Sequence, residues 1–240
     1  MYQERTYRNL IKESALSPFK VTVKETDLYI HAKKKLDVLA RDLVLECRGQ
    51  IETYIARMPA FEKTLVPWSE TGPLPPIVRE MVRASAKAGV GPMAAVAGAV
   101  AEFTGKALLK RVDEVIVENG GDLFIRVASP ITIGIYAGNS PLSMRIGLKF
   151  HRCGKPFSVC TSSGTIGHSL SLGKADALTI VARSAALADA AATATANHVG
   201  NAKDIEAAIG FAKDIPGVEG VVAVMGDKMG LWGDIDLVGL

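Results

Sequence analysis

Cysteine is scarce in this chain: three residues, Cys47, Cys153 and Cys160, occur among 240. An odd, sparse set is not a disulfide framework and fits a reducing cytosol. Net charge is also small, +3 from 28 basic and 25 acidic residues. That is too little to hold nucleic acid by electrostatics. The one basic run, Lys33-Lys34-Lys35, sits between a strand-like and a helix-like segment and reads as a solvated turn. No apolar run approaches the roughly 18 residues a membrane span needs, and the charged beginning MYQERTYRNLIKES has no apolar core of a signal peptide. A cytoplasmic protein with no membrane or nucleic-acid partner is therefore expected. Neither GxGxxG nor GxxxxGK[ST] occurs, which leaves a Rossmann or P-loop nucleotide site without support. His151, Cys153, Cys160 and His168 lack the tight C-x₂-C pair of structural zinc sites. Cys160 has apolar neighbours and no evident cationic partner to make it a nucleophile.

What the chain does have is hydrophobic content of 48% against 22% charge, ordinary for a globular protein. Residues 7–30 alternate as β structure, with a turn at Lys24-Glu25-Thr26-Asp27. Leu36, Leu39, Leu43, Ile51 and Ile55 recur at helical spacing and predict a helix over 36–57. Residues 59–76 hold Pro67, Gly72, Pro73, Pro75 and Pro76, and are the candidate linker or lid. Pro76 opens a helix through Ala88. A small-residue helix is predicted over 93–110. The segment VDEVIVENGGDLFIRV predicts two strands about Asn119-Gly120, with a third strand at 131–136. Residues 143–150 and 157–161 are expected to pair about Gly154-Lys155. A strand at Ala177–Ala182 leads to Ser184 as helix N-cap. An alanine helix, a further helix over 203–215, and closing strands at 218–225 and 231–237 complete the chain. Meanders mixed with paired helices argue an α+β fold, largely antiparallel sheets with helices packed on them, in one domain over 1–240.

Three segments carry candidate chemistry. In AALADAAATATANH, Asp189 and Thr193 are four apart, so a helix puts both oxygens on one face. On an alanine surface they could hold a hard cation such as Mg²⁺ together with a phosphate. The other reading is plain packing, with Asp189 near a helix N-terminus where it suits the dipole. In Glu118-Asn119-Gly120-Gly121-Asp122, paired glycines serve a tight turn or let a ligand lie against backbone N–H groups. The loop from Cys160 to Ser169 is rich in hydroxyls and suits a phosphate or ribityl chain, with His168 able to move a proton; a plain surface loop is the alternative.

The order of these pieces resembles the ApbE superfamily, the FAD:protein FMN transferases. The small-residue helix PMAAVAGAVAEF leads to ENGGD, then SSG and GHS, then a strand followed by SAALADAAATA. The likeness covers about 92–199, and ADAAATA is its most specific element. It implies that Asp189 and Thr193 bind Mg²⁺ and that Asn119, Gly120, Gly121 and Asp122 line the site of FAD or another flavin nucleotide. It also implies that Ser162, Ser163 and Gly164 approach the diphosphate, and that His168 acts at the reaction. The implied activity splits FAD and moves FMN to a threonine of an acceptor protein. The chain departs from the family where SLSLGK follows His168 in place of D-P-x-T-G, and where AAVAGAV lacks the usual lysine and tyrosine. A non-catalytic accessory protein in anaerobic sulfur and homocysteine metabolism is the second reading that the resemblance supplies. A homo-oligomer without a ligand is the third.

Overall fold

The computed structural model describes residues 16–69, 72–164 and 173–240. Eight strands form one antiparallel sheet: β1 (Ser17–Val23), β2 (Thr26–Ala32), β3 (Val115–Asn119), β4 (Asp122–Arg126), β7 (Phe157–Ser162), β8 (Ala177–Ala182), β9 (Val218–Met225) and β10 (Lys228–Gly233), in that spatial order. A smaller antiparallel sheet holds β5 (Ile131–Gly134), β6 (Ile146–Phe150) and β11 (Asp236–Gly239), with β6 in the middle. The helices cover one face of the large sheet and the small sheet covers the other.

Both faces of the central strands are therefore dry, and their sequences read as near-continuous apolar runs. In β8 all six residues are buried. Ile116, Ile125, Phe157, Val159, Val181 and Val222 point to the small sheet and meet Leu148 and Phe150. Leu28, Phe124, Cys160, Leu178, Ile180 and Val221 point to the helices.

Six α-helices occur among the described residues: α1 (Asp37–Arg57), α2 (Ala60–Lys63), α3 (Pro76–Ala88), α4 (Val96–Leu108), α5 (Ala185–Ala196) and α6 (Ile205–Asp214). The buried stripe of α1 is Ala40, Val44, Cys47, Ile51 and Tyr54; of the leucines at helical spacing, Leu36, Leu39 and Leu43 flank this stripe half-buried. In α5 the alanines are buried on every side, as expected of a helix sandwiched between a sheet and other helices. Ser184 caps it as predicted, its hydroxyl accepting from the Leu187 N–H at 3.3 Å. Within 59–76, Phe61 is fully buried and the Trp68 indole N–H donates to the Tyr54 hydroxyl at 3.0 Å.

Three predicted details are corrected. Residues 143–150 and 157–161 do not pair with each other: β6 pairs with β5 and β11, while β7 pairs with β4 and β8. Phe150 and Phe157 meet between the two layers, ring centroids 5.0 Å apart, and not across a ladder. The strand at 131–136 likewise leaves the meander for the small sheet. The closing strand at 231–237 is split between the sheets. Gly233, at φ 111°, turns the chain out of the large sheet close against β9, where a Cβ would lie 2.4 Å from the Glu219 carbonyl oxygen.

Candidate functional site

The β3–β4 turn is centred on Gly120-Gly121, one residue later than Asn119-Gly120. Both central residues have positive φ, 69° and 109°, so both glycines are demanded by the turn itself. The one-residue shift decides what faces what. Asn119 stands directly opposite Asp122, and Asp122 directly opposite Cys160. Directly opposed residues share a face. All three thus form a row on the helix side of the large sheet, since Cys160 packs in the helix-side core. Glu118 points away, and its Oε1 accepts from the Gly121 N–H at 2.9 Å, closing the turn.

Above this row lies the start of α4, where small residues let α5 come close. A Cβ on Gly98 would sit 2.2 Å from the Ala185 carbonyl oxygen, so only glycine permits this approach. Asn119 Nδ2 donates to the Ala97 carbonyl at 3.0 Å. The Gly98 N–H donates to Asp189 Oδ2 at 2.8 Å. Asp189 therefore serves the N-terminus of α4, where free N–H groups need acceptors, and not the N-terminus of its own helix. Thr193 follows one turn later on α5, half-buried.

Two carboxyls in one dry place disfavour their own ionisation. Burial pushes Asp189 up to about 7, against the pull of the Gly98 and Ala97 N–H groups. Burial, then the Asp189 charge, raises Asp122 well above the usual carboxylate range, and Glu118 adds to it. Burial and the same two aspartates also raise the Cys160 thiol. A thiol so disfavoured from ionising is no nucleophile; it approaches the Ala185 carbonyl at 3.5 Å.

The raised carboxyls reverse the usual acid dependence of stability. The unfolded chain loses these protons near pH 4, while the folded chain keeps them until the native pKa is reached. Their contribution is full below about pH 4 and is lost as pH rises toward about 7 for Asp189, at up to about 1.4 kcal/mol per unit. Urea unfolding at pH 5 and pH 8 is expected to show Asp189→Asn gaining on the wild type as pH rises. An equal difference at both pH values would refute the raised pKa.

The remaining predicted residues fall as follows. Ser162 ends β7 on the helix side of the sheet, opposite Leu178. It is buried, and its hydroxyl has no hydrogen-bond partner among the described atoms. Ser163 is half-buried and Gly164 exposed. The Gly164 N–H donates to the Ala175 carbonyl at 3.0 Å, and a Cβ on Gly164 would lie 2.0 Å from the Gly173 carbonyl oxygen, so the two backbones are in close contact there. His168 lies outside the described residues. The structure does not gather the zinc-like set: exposed His151 pairs with Asp236 at 3.3 Å, Cys153 is exposed, and Cys160 is buried on the far side of the large sheet. A cleft of about 390 Å³ opens elsewhere, between Tyr54 and Arg57 of α1, Met58 just after it, and Pro73 to Pro75, and contains none of the candidate site residues.

Two participants are not evident from the sequence: Gly98, and Asp122 as a partner of Asp189. A glycine inside a predicted helix is the available signal for the first; nothing local signals the second. Among the described residues no three His, Cys, Asp or Glu side chains are grouped as a metal site. Asp122 and Asp189 nevertheless fit a divalent ion that draws its other oxygens from a hydroxyl and a ligand phosphate, because a cation would offset the two disfavoured charges. Among the described residues no helix is long and apolar enough to cross a membrane.

The family described as AbpE bacteria matches residues 8–229. A UPF0280 protein of Methanocella arvoryzae is 39% identical over 215 residues, 89% of this chain and 87% of the relative. A UPF0280 protein of Methanocaldococcus jannaschii is 40% identical over 222 residues, 90% of each chain. The flavinyl transferase ApbE of Pseudomonas stutzeri, in its apo form, superposes with a TM-score of 0.60 at 16% identity, over 90% of this chain and 93% of that one. The ApbE protein of Thermotoga maritima gives 0.56 at 15% identity, over 90% and 96%. At such identities the likeness is one of fold.

Proposed function

We propose that this chain, which belongs to the family described as AbpE bacteria, binds a flavin nucleotide together with Mg²⁺ where α4, α5 and the β3–β4 turn meet. The observation that carries the reading is the pair of buried carboxyls, Asp122 and Asp189, on facing elements, both disfavoured from ionising by burial; a cation between them would relieve that cost. Asp189 and Thr193 would hold the ion, with Asp122 beside it. Asn119, Gly120, Gly121 and Asp122 would line the flavin side, and Ser162, Ser163 and Gly164 the diphosphate side. The fold shared with the flavinyl transferase of Pseudomonas stutzeri supports the flavin as the ligand class.

The finer reading is FMN transfer. A threonine hydroxyl of an acceptor protein attacks the FMN phosphorus of FAD, the P–O–P bridge breaks, and AMP leaves. Mg²⁺ would supply neutralisation of the diphosphate charge. His168 would take the threonine proton, and the buried Ser162 hydroxyl would donate to the diphosphate.

Incubation with FAD is expected to show micromolar binding with MgCl₂ and much weaker binding with EDTA. Release of AMP and flavin-labelled acceptor threonine would carry the transfer. No binding of FAD at high micromolar concentration would sink the whole reading. Binding without AMP release would leave a flavin-binding accessory protein, the outcome favoured by Ser-Leu-Ser-Leu standing after His168.

A further inference from the structure

We propose that Glu102 is a positioning residue: it fixes the axial register of α5 on α4 and so holds Asp189 at the head of the site. This rests on the reading of Asp189 just given. Glu102 lies on α4 and is only 2% exposed. Its Oε2 accepts from the Ser184 hydroxyl at 2.9 Å, the Ala185 N–H at 2.7 Å and the Ala186 N–H at 3.3 Å. Its Oε1 accepts from Lys106 Nζ at 2.5 Å, and the lysine side chain is mostly exposed. The two amide donors are N–H groups of the first turn of α5, which have no acceptor within their own helix. A carboxylate there is also favoured by the helix dipole.

The second fastener between the same helices is Gly98 N–H to Asp189. Gly98 is four residues before Glu102, and Asp189 is four residues after Ala185. The helices thus run antiparallel, and each receives a carboxylate from the other at its N-terminal turn. The fasteners stand about 6 Å apart along the axis, four residues at 1.5 Å each. Either alone would leave α5 free to slide or rotate against a smooth alanine surface. Together they fix which residue of α5 stands over Asn119 and Asp122. Losing Glu102 leaves buried N–H groups unpaired, which costs more than the hydrogen bonds were worth, and α5 must move to recover partners.

The experiment measures FAD affinity with MgCl₂, and exchange protection of the Gly98 amide, in Glu102→Ala, Glu102→Asp and Glu102→Gln. Each is also combined with Asp189→Asn. Glu102→Ala is expected to weaken Mg²⁺-dependent FAD binding about 10- to 100-fold, as loss of an outer orienting group does, and to expose the Gly98 amide. Glu102→Gln keeps an acceptor oxygen for Ala185 and Ala186 and restores both. Glu102→Asp, one methylene short, loses both in part, and it decides the matter if the alanine variant does not fold. In the Asp189→Asn background the Glu102 changes should cost no further affinity, because they act through Asp189. Full Gly98 protection in Glu102→Ala or Glu102→Asp, or additive losses with Asp189→Asn, would overturn the proposal. Should the wild type fail to bind FAD, the flavin reading falls while the Gly98 amide still decides the role of Glu102.

Discussion

Asp189→Ala is expected to abolish the Mg²⁺-dependent part of FAD binding, a loss of ~100-fold or more, as when one partner of a buried charge pair is removed. The informative comparison is Asp189→Asn. Asparagine keeps an oxygen for the Gly98 N–H, so the start of α4 remains capped. It also removes a charge that burial disfavours at Asp189 and that raises the neighbouring Asp122. The asparagine protein should therefore be at least as stable as the wild type at pH 8, yet bind FAD no better with MgCl₂ than with EDTA. The alanine protein should lose binding and also ~1–2 kcal/mol of stability with the cap. Calorimetric titration and urea unfolding separate the two effects. Wild-type affinity in Asp189→Asn would show that the carboxylate is only a helix cap.

A larger effect on stability is expected from a single methyl group at Gly98. Its Cβ would meet the carbonyl oxygen of Ala185 at 2.2 Å and its carbon at 2.6 Å, both backbone atoms of a buried helix. No side chain can swing aside, so α4 and α5 must separate and drag the Glu102 and Asp189 contacts with them. We expect Gly98→Ala to cost ~3 kcal/mol or more in urea unfolding, at or beyond the upper end for overpacked cores. Gly49→Ala and Gly210→Ala make the same chemical change in α1 and α6, where a Cβ meets nothing within 4 Å. Those should be neutral or stabilising by up to ~1 kcal/mol, since alanine is the better helix former. Equal costs at all three positions would mean that the close crossing of α4 and α5 is not the source of the effect.

Much of the candidate site is legible in the amino-acid sequence. Asp189 and Thr193 stand out because a carboxylate and a hydroxyl interrupt a run of alanines, and their order after ENGGD carries the family. The hairpin is legible from paired glycines, but its centre is not. Asn-Gly and Gly-Gly both satisfy a tight turn, and only the ladder with β2 and β7 chooses between them. That choice matters because strand side chains alternate, so one residue of slip exchanges the faces. Centred a residue earlier, the turn would have set Glu118 opposite Gly121 instead of Asn119 opposite Asp122. The expected pairing of 143–150 with 157–161 fails for a related reason: a turn at Gly154 is compatible with a hairpin, but burial of Phe150 against Phe157 between layers sends the strands to different sheets.

The sequence by itself determined the periodic elements, the alanine surface of α5, the cap at Ser184 and membership of the family, because each is written in residues close together along the chain. Tertiary structure alone decided that Asp189 serves the N-terminus of another helix, that Asp122 stands beside it, and that Glu102 ties the two helices together. These contacts join residues roughly 65 to 90 positions apart in the chain. No local spacing encodes them: they follow from how closely two backbones can approach at Gly98, and from which face of the sheet lies beneath.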